Sequence, residues 1–242
     1  MEAKHIITFG HRGAAGLGPE KENTLLGFRT ALSMGVDGIE LDVYRTQDDQ
    51  MVVTHSDTLE YNGDRVRVSK LVLDEIKQIQ LPGEQTLPTL DEVFVEMEAA
   101  GKQRLFYSID LRDVRDADAY HEIVSRHGVV DRLFTCFESR LFIKKVRRAF
   151  PDLTYVFSTH PNVDGIIEDL DRIEPGSISV INIPATELTE AMVDAIHGAG
   201  LKSFVWDANE DDQMARFVAA SVDAIYSNFP DRLVSVVRTY GL

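Results

Sequence analysis

Two kinds of hydrophobic pattern take turns along this chain. Short runs in which apolar residues cluster or alternate with polar ones are separated by longer stretches whose apolar residues recur every three to four positions. The first pattern suits a strand and the second an amphipathic helix. Strand-like runs fall at residues 5–10, 38–43, 104–111, 132–137, 153–158, 177–183, 201–206 and 224–227. Helical periodicity covers 24–34, 90–100, 117–127, 140–150, 163–173, 190–199, 211–219 and 232–240. Eight alternating pairs in 242 residues predict an α/β fold of the closed (β/α)₈ TIM barrel type, because right-handed crossovers place every helix outside the sheet. Thr24 or Asn23 is positioned to cap the first helix, Thr89 the second with Glu92 three residues on, and Thr189 the sixth. One interval breaks the rhythm. Residues 56–87 are too long for a βα loop and contain the turn signal Asn62-Gly63-Asp64. They predict a small irregular excursion after the second strand, a lid-like insertion within a single domain covering residues 1–242.

The stretch Asp37-Gly38-Ile39-Glu40-Leu41-Asp42-Val43 places chemistry on this frame. A period of two sends Glu40 and Asp42 to one face and the three aliphatics to the other. Two anions side by side cost several kcal/mol each when buried without partners, so a metal ion or an Arg or Lys must accompany them. The third strand repeats the pattern, with Ser108, Asp110 and Arg112 sharing a face. The first ends in Gly10-His11-Arg12-Gly13, and the run Met51-Val52-Val53-Thr54 delivers His55. Barrel chemistry sits at the carboxyl ends of the strands. Glu40, Asp42, Asp110, His11, His55, Arg12 and Arg112 can therefore converge there as a set for metal-assisted phosphoryl chemistry. Carboxylates suit Mg²⁺ or Ca²⁺, imidazoles move protons, and guanidinium groups fork onto phosphate oxygens. Asp110 has a second reading, an ion pair with Arg112 or Arg12.

Composition narrows the partners. Hydrophobic residues make up 44% and charged ones 27%, which is ordinary for a soluble protein with a large core. A formal charge of -15 disfavours nucleic acid and anionic membrane surfaces as general partners. The one cysteine, Cys136, lies in the apolar run Leu133-Phe134-Thr135-Cys136-Phe137 and reads as a small buried side chain. The absence of a secretory leader or an apolar run of spanning length points to a cytoplasmic protein without stable membrane insertion. His5, His121, His127, His160 and His197 read as helical or surface residues, and Glu210-Asp211-Asp212 as a helix opening. Trp206 either fills the barrel or touches substrate.

In order, His11-Arg12-Gly13, Glu22-Asn23-Thr24, Glu40-Leu41-Asp42, His55, Pro88-Thr89-Leu90, Trp206-Asp207-Ala208-Asn209 and Asp223-Ala224-Ile225 with Pro230 resemble the glycerophosphodiester phosphodiesterases. The likeness spans nearly the whole chain. It implies metal-dependent hydrolysis of a small glycerophosphodiester to an alcohol and glycerol 3-phosphate. His11 and His55 would be the acid/base pair, Glu40, Asp42 and Asp110 the ligands of Mg²⁺ or Ca²⁺, and Arg12, Arg112 and Trp206 substrate contacts. Two alternatives are a catalytically quiet barrel that binds a polyol phosphate and a lysophospholipase-D-like enzyme. The sequence departs from the family pattern in four places. Ser56 stands where an aspartate normally follows the second histidine, Asp110 and Arg112 replace Glu and Lys, Asn228 replaces a common Asp, and Glu20 and Glu22 compete for one acidic position.

Overall fold

The computed structural model describes residues 5–100, 104–160, 165, 166, 168, 170, 173, 174 and 176–241. The strands are β1 (Ile7–Gly10), β2 (Gly38–Arg45), β3 (Met51–Val53), β4 (Thr58–Tyr61), β5 (Asp64–Arg67), β6 (Phe106–Leu111), β7 (Leu133–Phe137), β8 (Thr154–Ser158), β9 (Val180–Pro184), β10 (Lys202–Trp206) and β11 (Ala224–Ser227). The helices are α1 (Leu25–Ser33), α2 (Leu73–Ile76), α3 (Leu90–Ala100), α4 (Ala117–Arg126), α5 (Arg140–Ala149), α6 (Glu190–Gly198), α7 (Asp211–Ala219) and α8 (Pro230–Thr239).

Eight of these strands pair in parallel in the order β1-β11-β10-β9-β8-β7-β6-β2, and β1 pairs with β2 to close the ring. This is the (β/α)₈ barrel expected from the alternation, and every expected barrel strand is present. The helix expected at 163–173 lies mostly outside the described residues. Caps form where the sequence offers them. Thr24 Oγ1 accepts from Gly27 N at 3.1 Å, Thr89 and Glu92 exchange side-chain to backbone bonds at 3.1 and 2.8 Å, and Thr189 accepts from Met192 N. The last helix begins at Pro230, two residues earlier than its periodicity suggests, since a proline at the first helical turn lacks only an N–H that would have no partner there.

Parity sorts the side chains. Ile39, Leu41 and Val43 of β2 and Tyr107 and Ile109 of β6 face outward into the layer shared with Phe28, Val93 and Phe94 of the helices. Ile7, Phe9, Phe134, Cys136, Val156, Val180, Phe204, Ala224 and Tyr226 face inward and fill the barrel. Phe9 stacks on Tyr226 with centroids 4.6 Å apart. That ring needs room, and Gly38 supplies it, because a Cβ there would lie 2.4 Å from Phe9 Cε1.

β3 runs antiparallel to β2 outside the ring and leads to His55. The interval that follows folds into the β4-β5 hairpin, whose turn residues Asn62 and Gly63 both have positive φ, at 52° and 86°, as a two-residue primed turn requires. Val68, Leu71, Ile76 and Leu87 then form a small apolar cluster closed by Val52 of β3, with Tyr44 of β2 against its edge. The excursion is thus pinned to the barrel through the β2-β3 ribbon.

Gly38→Ala should lower the urea midpoint by an amount equivalent to about 1–3 kcal/mol, the usual cost of overpacking. Combining it with Phe9→Leu should recover part of that loss. An unchanged midpoint in the single variant would mean that Phe9 does not occupy this space.

Candidate active site

Above the apolar filling, the inward positions change from aromatic and aliphatic to ionisable. On β2, Gly38 is followed inward by Glu40 and Asp42; on β6, Phe106 is followed by Ser108, Asp110 and then Arg112. Register sets Glu40 opposite Ser108 and Asp42 opposite Asp110. Past β1, β7, β8 and β11 the same parity projects His11, Glu138, His160 and Asn228 beyond the strand ends. The result is a cavity of about 140 Å³ whose wall includes His11, His55, Arg12, Arg112, Glu40, Asp42, Asp110 and Trp206, every residue singled out from sequence.

The carboxylates are crowded. One oxygen each from Glu40, Asp42 and Asp110 lies within 4.8 Å of the others, and Asp42 is 1% exposed. Burial raises the Glu40 pKa to about 8, with Asp42 and Asp110 adding to the rise and His11 opposing it. Burial likewise raises the Asp110 pKa, against the pull of Arg112. Cations and donors offset only part of this. Arg112 contacts Asp42, Asp110 at 3.3 Å and Glu138 at 3.2 Å. Arg12 Nε lies 3.5 Å from Asp42, and Asn23 Nδ2 donates to Asp42 at 3.1 Å. The Nε atoms of both arginines are buried without a hydrogen-bond partner. Asp110 therefore satisfies the ion-pair geometry of its second reading and still belongs to the three-carboxylate cluster of the first.

The loop after β1 is shaped to serve these acids. Arg12 has φ 51°, a left-handed backbone that turns its own N–H onto Glu40 at 2.8 Å. Asn23, φ 50°, donates its N–H to Arg12 O at 2.9 Å while its side chain reaches Asp42. Thr24, not Asn23, caps α1. Glu22 accepts from Arg12 Nη1 at 3.0 Å whereas Glu20 pairs with Lys21, so of the two acids Glu22 is the one joined to a cavity residue.

His11 is held by a network that the sequence reading did not identify. Its Nδ1 lies 2.8 Å from Asn228 Oδ1, and Asn228 Nδ2 donates to Asp207 at 3.0 Å. With the amide nitrogen committed to a carboxylate, the amide oxygen must accept from His11 Nδ1–H, which leaves Nε2 for the cavity, 3.7 Å from Glu40. Asn209 fixes the other partners, donating to Asp207 at 3.2 Å and accepting from Asn228 N at 2.9 Å. Burial lowers the His11 pKa, but Glu40 and Asp207 outweigh it and the net shift is upward. The His11 imidazole, its Nδ1 3.4 Å from Asp207 Oδ1, takes the Asp207 pKa down to about 2. His55 moves the other way, since desolvation on its inner side and the Arg12 and Arg112 charges lower its pKa. Ser56 makes a local turn with Thr58, bonding its carbonyl at 2.7 Å and its N–H at 3.2 Å.

His160 is exposed, as a surface residue should be, and bonded to Glu187 at 3.1 Å; it also lines the cavity and meets the Trp206 ring edge-on with centroids 5.5 Å apart. The signal for His160, Glu138 and Asn228 was strand parity carried one or two residues past each strand end.

Residues 11–232 match the family described as glycerophosphoryl diester phosphodiesterases. A glycerophosphodiester phosphodiesterase of Caldanaerobacter subterraneus subsp. tengcongensis is 28% identical over 97% of this chain and 99% of its own length. One from Bacillus subtilis is 25% identical over 99% and 89%. Among solved structures, an Oleispira antarctica phosphodiesterase in complex with the product sn-glycerol-3-phosphate superposes with a TM-score of 0.83 at 20% identity, covering 96% of each chain.

With metal removed by a chelator, the His11 imidazole should titrate above its ordinary value by NMR, and Asp207→Asn should lower its midpoint. A group whose folded pKa is raised stabilises fully below its unfolded pKa and loses that contribution as pH rises through the folded value. Asp207→Asn should therefore cost more stability near about pH 5 than near about pH 9. Equal costs at both would detach Asp207 from the charge on His11.

Proposed function

Because this chain belongs to the glycerophosphoryl diester phosphodiesterase family, we propose that it hydrolyses glycerophosphodiesters to an alcohol and glycerol 3-phosphate at the cavity described above. The observation that carries this reading is the meeting of two imidazoles, three carboxylates and two guanidinium groups on one 140 Å³ cavity. The relative with glycerol 3-phosphate in its structure supports the choice of product.

The acids fit a divalent ion. Their donors are hard oxygens within 4.8 Å of one another, and Glu40, whose pKa burial chiefly raises to about 8, is a carboxylate that a cation beside it would hold ionised. Glu40, Asp42 and Asp110 would hold Mg²⁺ or Ca²⁺, and the ion would supply Lewis-acid polarisation of a phosphoryl oxygen. The chain's own groups do the rest. Arg12 and Arg112, which both line the cavity, bind the phosphodiester oxygens and orient phosphorus between the two histidines. His55, held towards its neutral form, takes the proton from the attacking oxygen. His11, held towards its protonated form and presenting Nε2, gives a proton to the leaving alkoxide; opposed pKa shifts in one site are the usual mark of such a pair. Trp206 walls the cavity beside His11 and His160. The excursion at 56–87 belongs to the same domain as a lid over the mouth.

Incubation with glycerophosphocholine should release glycerol 3-phosphate in the presence of Mg²⁺ or Ca²⁺ and not after chelation. His11→Ala and His55→Ala should each lower turnover by roughly 10²- to 10⁴-fold with unchanged unfolding midpoints. Near-normal turnover in either variant removes that histidine from the mechanism. In calorimetric titrations, Asp110→Asn should weaken metal binding and Asp110→Glu should not. Unaltered affinity in Asp110→Asn would leave Asp110 as the ion-pair partner of Arg112 alone.

A further inference from the structure

The cavity containing His11 and His55 shares Arg112 with a larger neighbour of about 370 Å³ that lies between the insertion and the barrel rim. Arg45, Arg67, Lys70, Arg112 and Arg115 all line this second space. Three of the five cations are engaged. Arg45 lies between Asp49 at 2.9 Å and Asp116 at 2.8 Å, Arg115 Nε donates to Asp113 at 2.8 Å, and Arg112 faces Asp42, Asp110 and Glu138. Arg67 and Lys70 are exposed, and no hydrogen bond or ion pair joins either side chain to a described residue.

Their positions are nonetheless fixed by the chain on either side. Arg67 ends β5, paired with Thr58 across the hairpin. Val68 and Leu71, 1% and 3% exposed, are anchored in the insertion's apolar cluster. Val68 N donates to Asp57 O at 2.9 Å, and Gln47 N to Leu71 O at 2.8 Å, which ties this turn to the barrel rim. Two cations without partners are thus presented to a cleft on a chain of net charge -15. Four carboxylates line the same cleft: Asp49, Asp113 and Asp116 are paired with Arg45 and Arg115, and Asp57, exposed and without a side-chain hydrogen bond, is the charge that opposes Arg67 and Lys70.

We propose that this cleft is a subsite for a second anionic group on the substrate, a phosphate or carboxylate borne by the alcohol portion of the diester and held by Arg67 and Lys70. The proposal rests on the diesterase reading and refines its substrate class. Arg112 lines both spaces, so with the first phosphorus beside it and the leaving oxygen at His11, the far end of the alcohol reaches the cleft by passing Arg112. The bond cleaved is unchanged: an oxygen of water joins phosphorus, the P–O bond to the alcohol breaks, and the alkoxide takes a proton. Exposed cations act through a screened field, so the preference they confer should be modest and salt-sensitive.

The test compares kcat/KM for glycerophosphoglycerol, the same diester carrying a terminal phosphate, glycerophosphoserine and glycerophosphocholine. The terminally phosphorylated substrate should be favoured at low salt. In the double variant Arg67→Gln with Lys70→Gln its kcat/KM should fall about 5- to 10-fold through KM, with glycerophosphoglycerol unaffected. Asp57→Asn should shift the preference in the opposite direction. A loss confined to the phosphorylated substrate identifies phosphate as the anion, and a comparable loss with glycerophosphoserine identifies any anion. Equal changes across all four substrates, or none, would overturn the subsite. If no diester is hydrolysed, the diesterase reading fails, and the subsite is judged on calorimetric titration with inorganic phosphate. Binding weakened in the double variant and strengthened in Asp57→Asn upholds it, and indifference to both refutes it.

Discussion

Three carboxylates crowd one largely buried space, and much of the upper barrel answers to that fact. Glu40, Asp42 and Asp110 come from adjacent strands in register, so the sheet itself forces them together. The compensation is local and costly. Arg12 and Asn23 adopt left-handed backbone so that an amide N–H and a side-chain amide reach these acids, and residues in that region store strain that the surrounding fold must overcome. Asp207, also left-handed at φ 59°, bears the same kind of cost on the opposite side, where it stands behind His11 and Asn228.

The apolar layer below makes those charges stronger. Phe9, Phe134, Phe204 and Tyr226 close the barrel beneath the carboxylates, with Ser108 Oγ and Tyr226 Oη 3.0 Å apart at the boundary. A field in such a setting is less screened than in water. One sign of it is Cys136, whose thiol is pushed well up by burial and by Asp110 nearby. The cysteine is part of the floor and stays a thiol.

The barrel was legible because its signal is repetitive: eight alternations in hydrophobic period survive errors of one or two residues at any end. Glu40, Asp42, Asp110 and Arg112 were legible because parity within a strand is a local property. His11 and His55 were found through motif likeness more than through pattern. Asp207 and Asn228 were not recognised as supports of His11, since 217 residues separate Asn228 from His11 and only barrel closure between β1 and β11 brings them together. Nor does a pattern of hydrophobicity reveal that Arg12 and Asn23 must be left-handed. The insertion's irregularity was plain from its length, but the cluster around Val68 and Leu71 that anchors it depends on Val52 from a different strand.

The two histidines are supported very differently. His11 follows a strand bonded on both sides within the closed ring, while His55 follows β3, which joins β2 as an antiparallel edge and continues into the pinned excursion. Yet Met51 and Val53 of β3 are buried in the same apolar layer as the barrel's outer face. The segment with fewest neighbours is instead the exposed β4-β5 hairpin beyond it, and such segments open at lower free energy than the structure they decorate. Opening confined to that hairpin leaves both imidazoles and the three acids in place.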